Sequence, residues 1–365
     1  MPLFIISTDI FVAGQAVTLA PSTLTIVATG TTVVSTGGIG IGSVSTTDSC
    51  DVRIDGTVYA QSSAVSLPTN GLTGEHTLVV GLTGILASNL GSGANLQGAV
   101  ATITNYGQIG SMSNLGVTMT GADALLMNYG LIYSTGSFGV QLGGANAILH
   151  NSGSITSASA ATVAMFGANT LVENSGTISG RNVAIQGSGF ADLIINSGTI
   201  SGLVGLNGGN DRFVGTLGAA ATVLGGLGGD TIRGGAFDDT FSGESDSDIL
   251  AGREGDDTLT GGLGFDTMSG GAGEDVFQFF TLSDMGDTLQ SDRIRGFVTG
   301  EDVLDLDAIA GLTFIGNAAF TSVALQMRYL KGPGQLLIDN NGDGLADFFV
   351  QLDKGTVLVA EDLIL

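Results

Sequence analysis

Between residues 225 and 278 an aspartate returns every nine residues: Asp230, Asp239, Asp248, Asp257, Asp266 and Asp275. Each is sixth in a nonad that opens on glycine, from "GGLGGDTIR" at 225 through "GGAFDDTFS", "GESDSDILA", "GREGDDTLT" and "GGLGFDTMS" to "GGAGEDVFQ" at 270. Two positions after each aspartate stands an apolar residue: Ile232, Phe241, Leu250, Leu259, Met268 and Phe277. An acidic linker has no reason to keep that offset, so the segment reads as folded. Regularly placed carboxylates among glycine-rich turns are hard-cation chemistry, since calcium takes about six to eight oxygens from carboxylates and backbone carbonyls.

The nonad resembles the RTX repeat, Gly-Gly-x-Gly-x-Asp-x-apolar-x, of bacterial proteins exported by type I secretion systems. The first-position glycines Gly225, Gly234, Gly252, Gly261 and Gly270 and the fourth-position Gly228, Gly255, Gly264 and Gly273 allow the turns and bring carbonyl oxygens close. The resemblance implies a parallel β-roll in which two nonads make one turn, so residues 18 apart lie above one another. The aspartates then fall into two columns: Asp230, Asp248 and Asp266 on one edge, and Asp239, Asp257 and Asp275 on the other. Carboxylates stacked at the strand spacing of about 5 Å repel unless a cation sits between them. Pairs 18 apart suggest roughly four calcium sites. A degenerate copy, "LNGGNDRFV" at 206, contributes Asp211. Asp238, Glu244, Asp246, Glu254, Asp256 and Glu274 are expected to be solvated, and Glu244 and Asp246 also break the glycine pattern of the third nonad, which makes its turn the poorest calcium site.

A second repeat precedes the first. Asn-x-Gly-x-Ile occurs as "NYGQI" at 105, "NYGLI" at 128, "NSGSI" at 151, "NSGTI" at 174 and "NSGTI" at 196, with degenerate relatives at 54 and 82. A period near 23 with short β-rich runs and glycine turns fits one coil of a β-solenoid of two or three strands per coil, beginning near residue 30. Stacking would align Ile109, Ile132, Ile155, Ile178 and Ile200 as an apolar ladder and Asn105, Asn128, Asn151, Asn174 and Asn196 as an amide ladder. Aligning "GANTLV" at 167 with "GGNDRF" at 208 suggests that the nonads follow without a linker. The expected fold is all-β, a parallel solenoid continuing into the roll.

Composition agrees. The 365 residues carry a formal charge of −24, and residues 206–365 hold 26 of the acidic side chains against 8 basic ones. Such a surface repels nucleic acid and anionic lipid, and its natural counter-charge is a cation. Cys50 stands alone, so no internal disulfide forms, and it reads as a small buried apolar residue. No run of 18 apolar residues exists, which argues against a spanning helix, and the N-terminus "MPLFIISTDIFVAG" alternates like a strand rather than a cleavable signal.

The segments "SDRIRGFVTGEDVLDLDAI" and "DNNGDGLADF" resemble the C-terminal domain of serralysin-type metalloproteases, which implies a β-rich, sandwich-like cap on the roll. In "DNNGDGLAD", Asp339, Asn341, Asp343 and Asp347 match positions 1, 3, 5 and 9 of an EF-hand-like loop, with Val350 where its last ligand, a Glu, is expected. The terminal "VAEDLIL" resembles the uncleaved C-terminal signal of type I export substrates. The expected organisation is a solenoid over 1–205 with a degenerate cap at about 1–50, the roll over 206–280, and the cap over 281–365. The expected partners are several calcium ions and the type I export machinery, in a secreted or surface-associated protein, with a glycan, matrix or cell-surface ligand left open.

No catalytic residues are assigned. Serralysins need a zinc-binding His-Glu-x-x-His helix, and the only histidines are His76 and His150 in "GEHTL" and "LHNSG". A polysaccharide lyase or epimerase would need a base and an acid on one solenoid face. Tyr106, Tyr129, Tyr133, His150, Glu173 and Arg181 are candidates, but Tyr106 and Tyr129 share a repeat position with Ser152, Ser175 and Ser197 and read as surface variation. The expected role is therefore structural or adhesive.

Overall fold

The computed structural model describes residues 3–19, 24–43, 49–67, 75–158, 161–216, 218–286 and 290–365. Every regular element there is a β-strand apart from two short 3-10 turns, Leu282–Met285 and Ala360–Asp362. Backbone contacts divide the chain into two units, Met1–Val204 and Gly205–Leu365.

In the first unit each coil lays one short strand on each of three faces, and every pairing between coils is parallel. The first face runs from Leu3–Ile6 and Leu24–Val27 to Leu171–Asn174 and Leu193–Asn196. The second face includes Gln108–Ser111, Leu131–Ser134 and Ser154–Ser157, and the third includes Val117–Met119, Val140–Leu142 and Ala161–Met165. In two late coils the second and third strands merge, into Thr177–Gln186 and Thr199–Gly208. The array begins at Leu3–Ile6, earlier than residue 30, because the first coils keep the inward apolar residues without the Asn-Gly corner. Ile6, Val27, Ile54 and Val80 occupy, in register, the position that Asn105 takes further along.

Alternation along each strand sends every second side chain inward. Leu86, Ile109, Ile132, Ile155 and Ile178 stack in register and are fully buried. The buried asparagines form a continuous ladder. Each Nδ2 donates to the Oδ1 of the next, from Asn105 to Asn128, Asn151 and Asn174 at 2.7 Å and on to Asn196 at 2.8 Å. The second N–H of each amide reaches a backbone carbonyl of the next coil, as Asn151 does to Thr177 at 3.1 Å. The glycine of the same motif has a steric cause: a Cβ on Gly130 or Gly153 would lie 2.2 Å from the carbonyl oxygen of Gly107 or Gly130 one coil earlier.

The second unit is a two-edged parallel stack with a cap. One edge aligns Ile232, Leu250, Met268 and Ile294, and the other Phe241, Leu259, Phe277 and Leu304. The registers Ile232 to Leu250 and Phe241 to Leu259 advance by two nonads per turn. Stacking runs past residue 280, through Arg293–Arg295, Val303–Asp305 and finally Leu363–Ile364, which pairs with Leu304 and Asp305. In place of a sandwich, the cap adds an antiparallel sheet of Gln326–Leu330, Gln335–Asp339 and Phe348–Gln351.

The asparagine ladder is expected to hold the solenoid by amide pairing that a shorter side chain cannot restore. Replacing Asn151 with Ala removes the acceptor of one Nδ2–H of Asn128 and the side-chain donor to Asn174 Oδ1, and should lower stability by about 2–3 kcal/mol in urea unfolding.

Candidate metal centre

All six sixth-position aspartates are buried, and so is Asp211. The strand after each aspartate fixes its neighbour one turn away, and the backbone then uses one carboxylate oxygen. Asp230 N–H donates to Asp248 Oδ1 at 2.7 Å, Asp248 N–H to Asp266 Oδ1 at 2.8 Å, Asp239 N–H to Asp257 Oδ1 at 2.7 Å and Asp257 N–H to Asp275 Oδ1 at 3.0 Å. Asp211 joins the first column by donating its N–H to Asp230 Oδ1 at 2.7 Å.

The other oxygen is different. Oδ2 of Asp230, Asp248, Asp257, Asp266 and Asp275 is buried with no hydrogen-bond donor. A buried unpaired carboxylate oxygen is costly, and it marks a place for a proton or a cation. Each Oδ2 is tucked against the first glycine of its own nonad, where a Cβ on Gly225, Gly252, Gly261 or Gly270 would lie 2.4, 1.8, 2.5 or 1.9 Å from it. The fourth-position glycines adopt left-handed backbone, with φ of 104° at Gly228, 107° at Gly255, 157° at Gly264 and 137° at Gly273. A Cβ at Gly264 would meet the Asp246 carbonyl oxygen at 1.9 Å, so the carbonyl of one turn presses on the glycine of the next. Glu244 and Asp246 take up that left-handed geometry without being glycine, both at φ 74°.

Two aspartates absent from the expected set extend the columns. Asp266 N–H donates to Asp292 Oδ1 at 2.8 Å, and Asp275 N–H to Asp302 Oδ1 at 3.1 Å. The nonad spacing hides them, because the steps to them are 26 and 27 residues. The signal that persists is Asp-x-apolar, as "DRI" at 292 and "DVL" at 302. The column ends also differ. Asp239 Oδ2 accepts from Gly235 N–H at 3.0 Å and Asp302 Oδ2 from Val298 N–H at 2.7 Å, whereas Asp292 Oδ2 has no donor. The neighbouring pairs in which both Oδ2 atoms lack a donor are thus Asp230 with Asp248, Asp248 with Asp266, Asp266 with Asp292, and Asp257 with Asp275.

The pattern of peptidase M10 serralysin C terminal matches residues 163–365, more than half of the chain. The chain belongs to that family. The match is to the C-terminal repeat region of serralysins and includes no protease domain. No curated protein matches the chain. Among solved structures, a subunit of the Azotobacter vinelandii mannuronan C5-epimerase is similar at 27% identity over 46% of this chain and 80% of that one, with a TM-score of 0.28. The nonad region of this serralysin C-terminal relative is accordingly an RTX-type repeat domain of the calcium-binding class. Such repeats are typical of secreted proteins, and among the described residues no helix is long and apolar enough to cross a membrane.

The donor set suits a divalent cation of the calcium type. Among the described residues no three acidic, histidine or cysteine side chains gather at one point, so an ion here would be held by two carboxylates and the turn carbonyls. Asp238, Glu244, Asp246, Glu254, Asp256 and Glu274 are exposed. Some are nonetheless tied to the next turn, as Asp256 N–H donates to Asp238 Oδ1 at 3.0 Å and Glu274 N–H to Asp256 Oδ1 at 2.8 Å. Arg253, at the second position of its nonad with φ 90°, donates Nη1 to the carbonyls of Gly215 and Gly234, both at 3.0 Å.

The loop at 339–347 is built differently. Asp339 is buried and accepts Gly342 N–H at 2.6 Å and Gly344 N–H at 2.8 Å, while Asp347 accepts Asn340 N–H at 2.8 Å. Asn341 and Asp343 accept the N–H groups of Asp343 and Leu345, both at 2.8 Å. Its side-chain oxygens are engaged in Asx turns, its flanks are strands, and Val350 points into the core.

Burial dominates the electrostatics of the columns. It pushes the Asp248 carboxyl up to about 8, against the Asp230 N–H bond and with the repulsion of Asp266 and Asp230 added. Burial likewise raises Asp292 to about 8, Asp257 to about 7, and Asp230 and Asp266 to about 6. A carboxyl whose folded pKa exceeds its unfolded value stabilises the fold fully below the unfolded value, near 4, and loses that contribution as pH rises through the folded value. With divalent cations chelated, the roll should therefore be more stable near pH 5 than near pH 9, the loss setting in above about pH 4 and ending only as pH passes the folded values of about 6 to 8. Denaturation followed at both pH values in EDTA checks this, and saturating calcium should abolish the trend because the ion replaces the protons.

Proposed function

We propose that this chain is an extracellular protein whose roll folds when calcium enters the two aspartate columns. The observation that carries the reading is the row of buried Oδ2 atoms without donors at Asp230, Asp248, Asp257, Asp266, Asp275 and Asp292. Where free calcium is far below micromolar, as in a cytosol, these carboxylates oppose stacking. Where it is millimolar, the binding free energy of the ions becomes folding free energy. A chain exported unfolded through a type I channel gains a folding signal on arrival. Its last residues, "VAEDLIL", would serve as the uncleaved export signal and then dock as the strand Leu363–Ile364. The solenoid, whose own ladder needs no ion, would act as a structural or adhesive surface without enzymatic turnover.

A second reading, a polysaccharide lyase or epimerase acting on the solenoid face, is favoured by one observation. His150 Nδ1 lies 2.8 Å from Glu173 Oε2, an acid and a base side by side at the surface. Unsaturated or epimerised products that persist with purified chain, and vanish in His150→Ala, would establish it over the non-enzymatic one.

The calcium reading is tested on the full chain by hydrogen exchange with mass spectrometry, in EDTA and during a calcium titration. Peptides spanning Thr231–Arg233 to Val303–Asp305 should exchange freely in EDTA near pH 9, where the columns are charged, and become protected with calcium, whereas the asparagine-ladder coils should be protected in both. Replacing Asp248 and Asp266 with Asn should shift the calcium midpoint upward by about tenfold or more. Equal protection of the roll with and without chelator would sink the reading.

A further inference from the structure

On the first corner of the solenoid, the residue after each ladder asparagine points outward. In successive coils these are Tyr106, Tyr129, Ser152, Ser175 and Ser197. The first two rings stack, with centroids 4.9 Å apart and planes 9° from parallel. The ring ladder then stops, and the next three rungs carry only hydroxymethyl groups. A groove of about 400 Å³ opens at that step, bounded by Tyr129, the three serines and the His150–Glu173 pair alongside. Tyr129 thus has one ring face covered by Tyr106 and borders open space where a third ring would lie.

We propose that this groove binds a neutral glycan, with one pyranose ring taking the place of the missing third ring against Tyr129. The chemistry of the lining selects that class. An aromatic face attracts the weakly positive C–H groups of a sugar ring. The serine hydroxyls make only long bonds to the carbonyls one coil back, 3.5 Å from Ser152 and 3.4 Å from Ser175 and Ser197. They remain available to sugar hydroxyls, as do the polar edges of His150 and Glu173. Charge excludes polyanionic chains: residues 1–205 hold 8 acidic side chains against two basic ones, Arg53 and Arg181, and Glu173 faces the groove. The volume falls at the small end of ligand sites, about 300–1,000 Å³, which suits one or two sugar units and not a buried oligomer. The groove lies wholly within the first unit and uses none of the aspartate columns, so this inference stands independently of the calcium reading.

The test uses the full chain in calcium buffer, titrated with cellohexaose, chitohexaose and hexamannuronate. Binding is read by saturation-transfer NMR and by the fluorescence of the five tyrosines, which no tryptophan obscures. A Kd of about 0.1–1 mM is expected for one or both neutral hexasaccharides, from one stacked ring and a few hydrogen bonds. Tyr129→Ala should weaken it by about tenfold or more. Ser152→Tyr supplies the third ring of the ladder, so it should fold like the parent while also losing binding. No saturable binding of either neutral probe, preference for hexamannuronate, or unchanged affinity in both variants would each overturn the proposal.

Discussion

The coils of both repeats follow from parallel stacking in register, in which each coil sits one strand spacing, about 4.8 Å, from the next. At that distance a side chain's principal neighbour is the same repeat position one coil away. A residue type is therefore tolerated inside the stack only if it can bear a copy of itself overhead. Leucine and isoleucine can, by packing. Glycine can where the carbonyl of one coil presses on the Cα of the next, as that of Gly107 does on Gly130.

Asparagine and aspartate have nearly the same shape and meet this condition in opposite ways. An amide is both donor and acceptor, so the ladder from Asn105 to Asn196 satisfies itself bond by bond. A carboxylate only accepts. The backbone supplies one donor per turn to Oδ1, and burial leaves Oδ2 with none over most of the two columns. The difference of one functional group divides the chain into a part that is complete by itself and a part that requires protons or cations. Burial raises the same carboxyls because the environment that excludes water also withholds a counter-charge.

Much of this was legible in the sequence because stacking turns periodicity directly into contact. The Asn and Ile ladders, the two aspartate columns and the inward eighth residues follow from counting by 23 and by 18. What escaped were places where spacing changed but the stack did not. The first two coils carry Ile6 and Val27 in the slot of the corner asparagine and lack the glycine that still marks the degenerate coils at 54 and 82, so no motif announces them. Asp292 and Asp302 lie beyond insertions of eight and nine residues, which loop out between rungs and leave the register intact. Nor could counting foresee that Asp239 satisfies both its oxygens from the backbone.

That last detail bears on how cation demand is distributed. In the second column, Asp239 and Asp302 close their Oδ2 atoms with the amides of Gly235 and Val298, four residues upstream in each case, a local loop closure independent of the neighbouring turn. The unpaired oxygens of that column are thereby confined to Asp257 and Asp275 between them. The first column has no such closure at Asp292, whose carboxyl is pushed up as far as that of Asp248. An ion shared by Asp266 and Asp292 would join the last nonads to the strand Arg293–Arg295, against which the cap's Gln351 is laid. In the first column an unpaired carboxylate oxygen and the strand that carries the cap thus meet at Asp292, whereas the second column reaches Val303–Asp305 with both oxygens of Asp302 already satisfied by backbone N–H groups and with Phe277 stacked on Leu304.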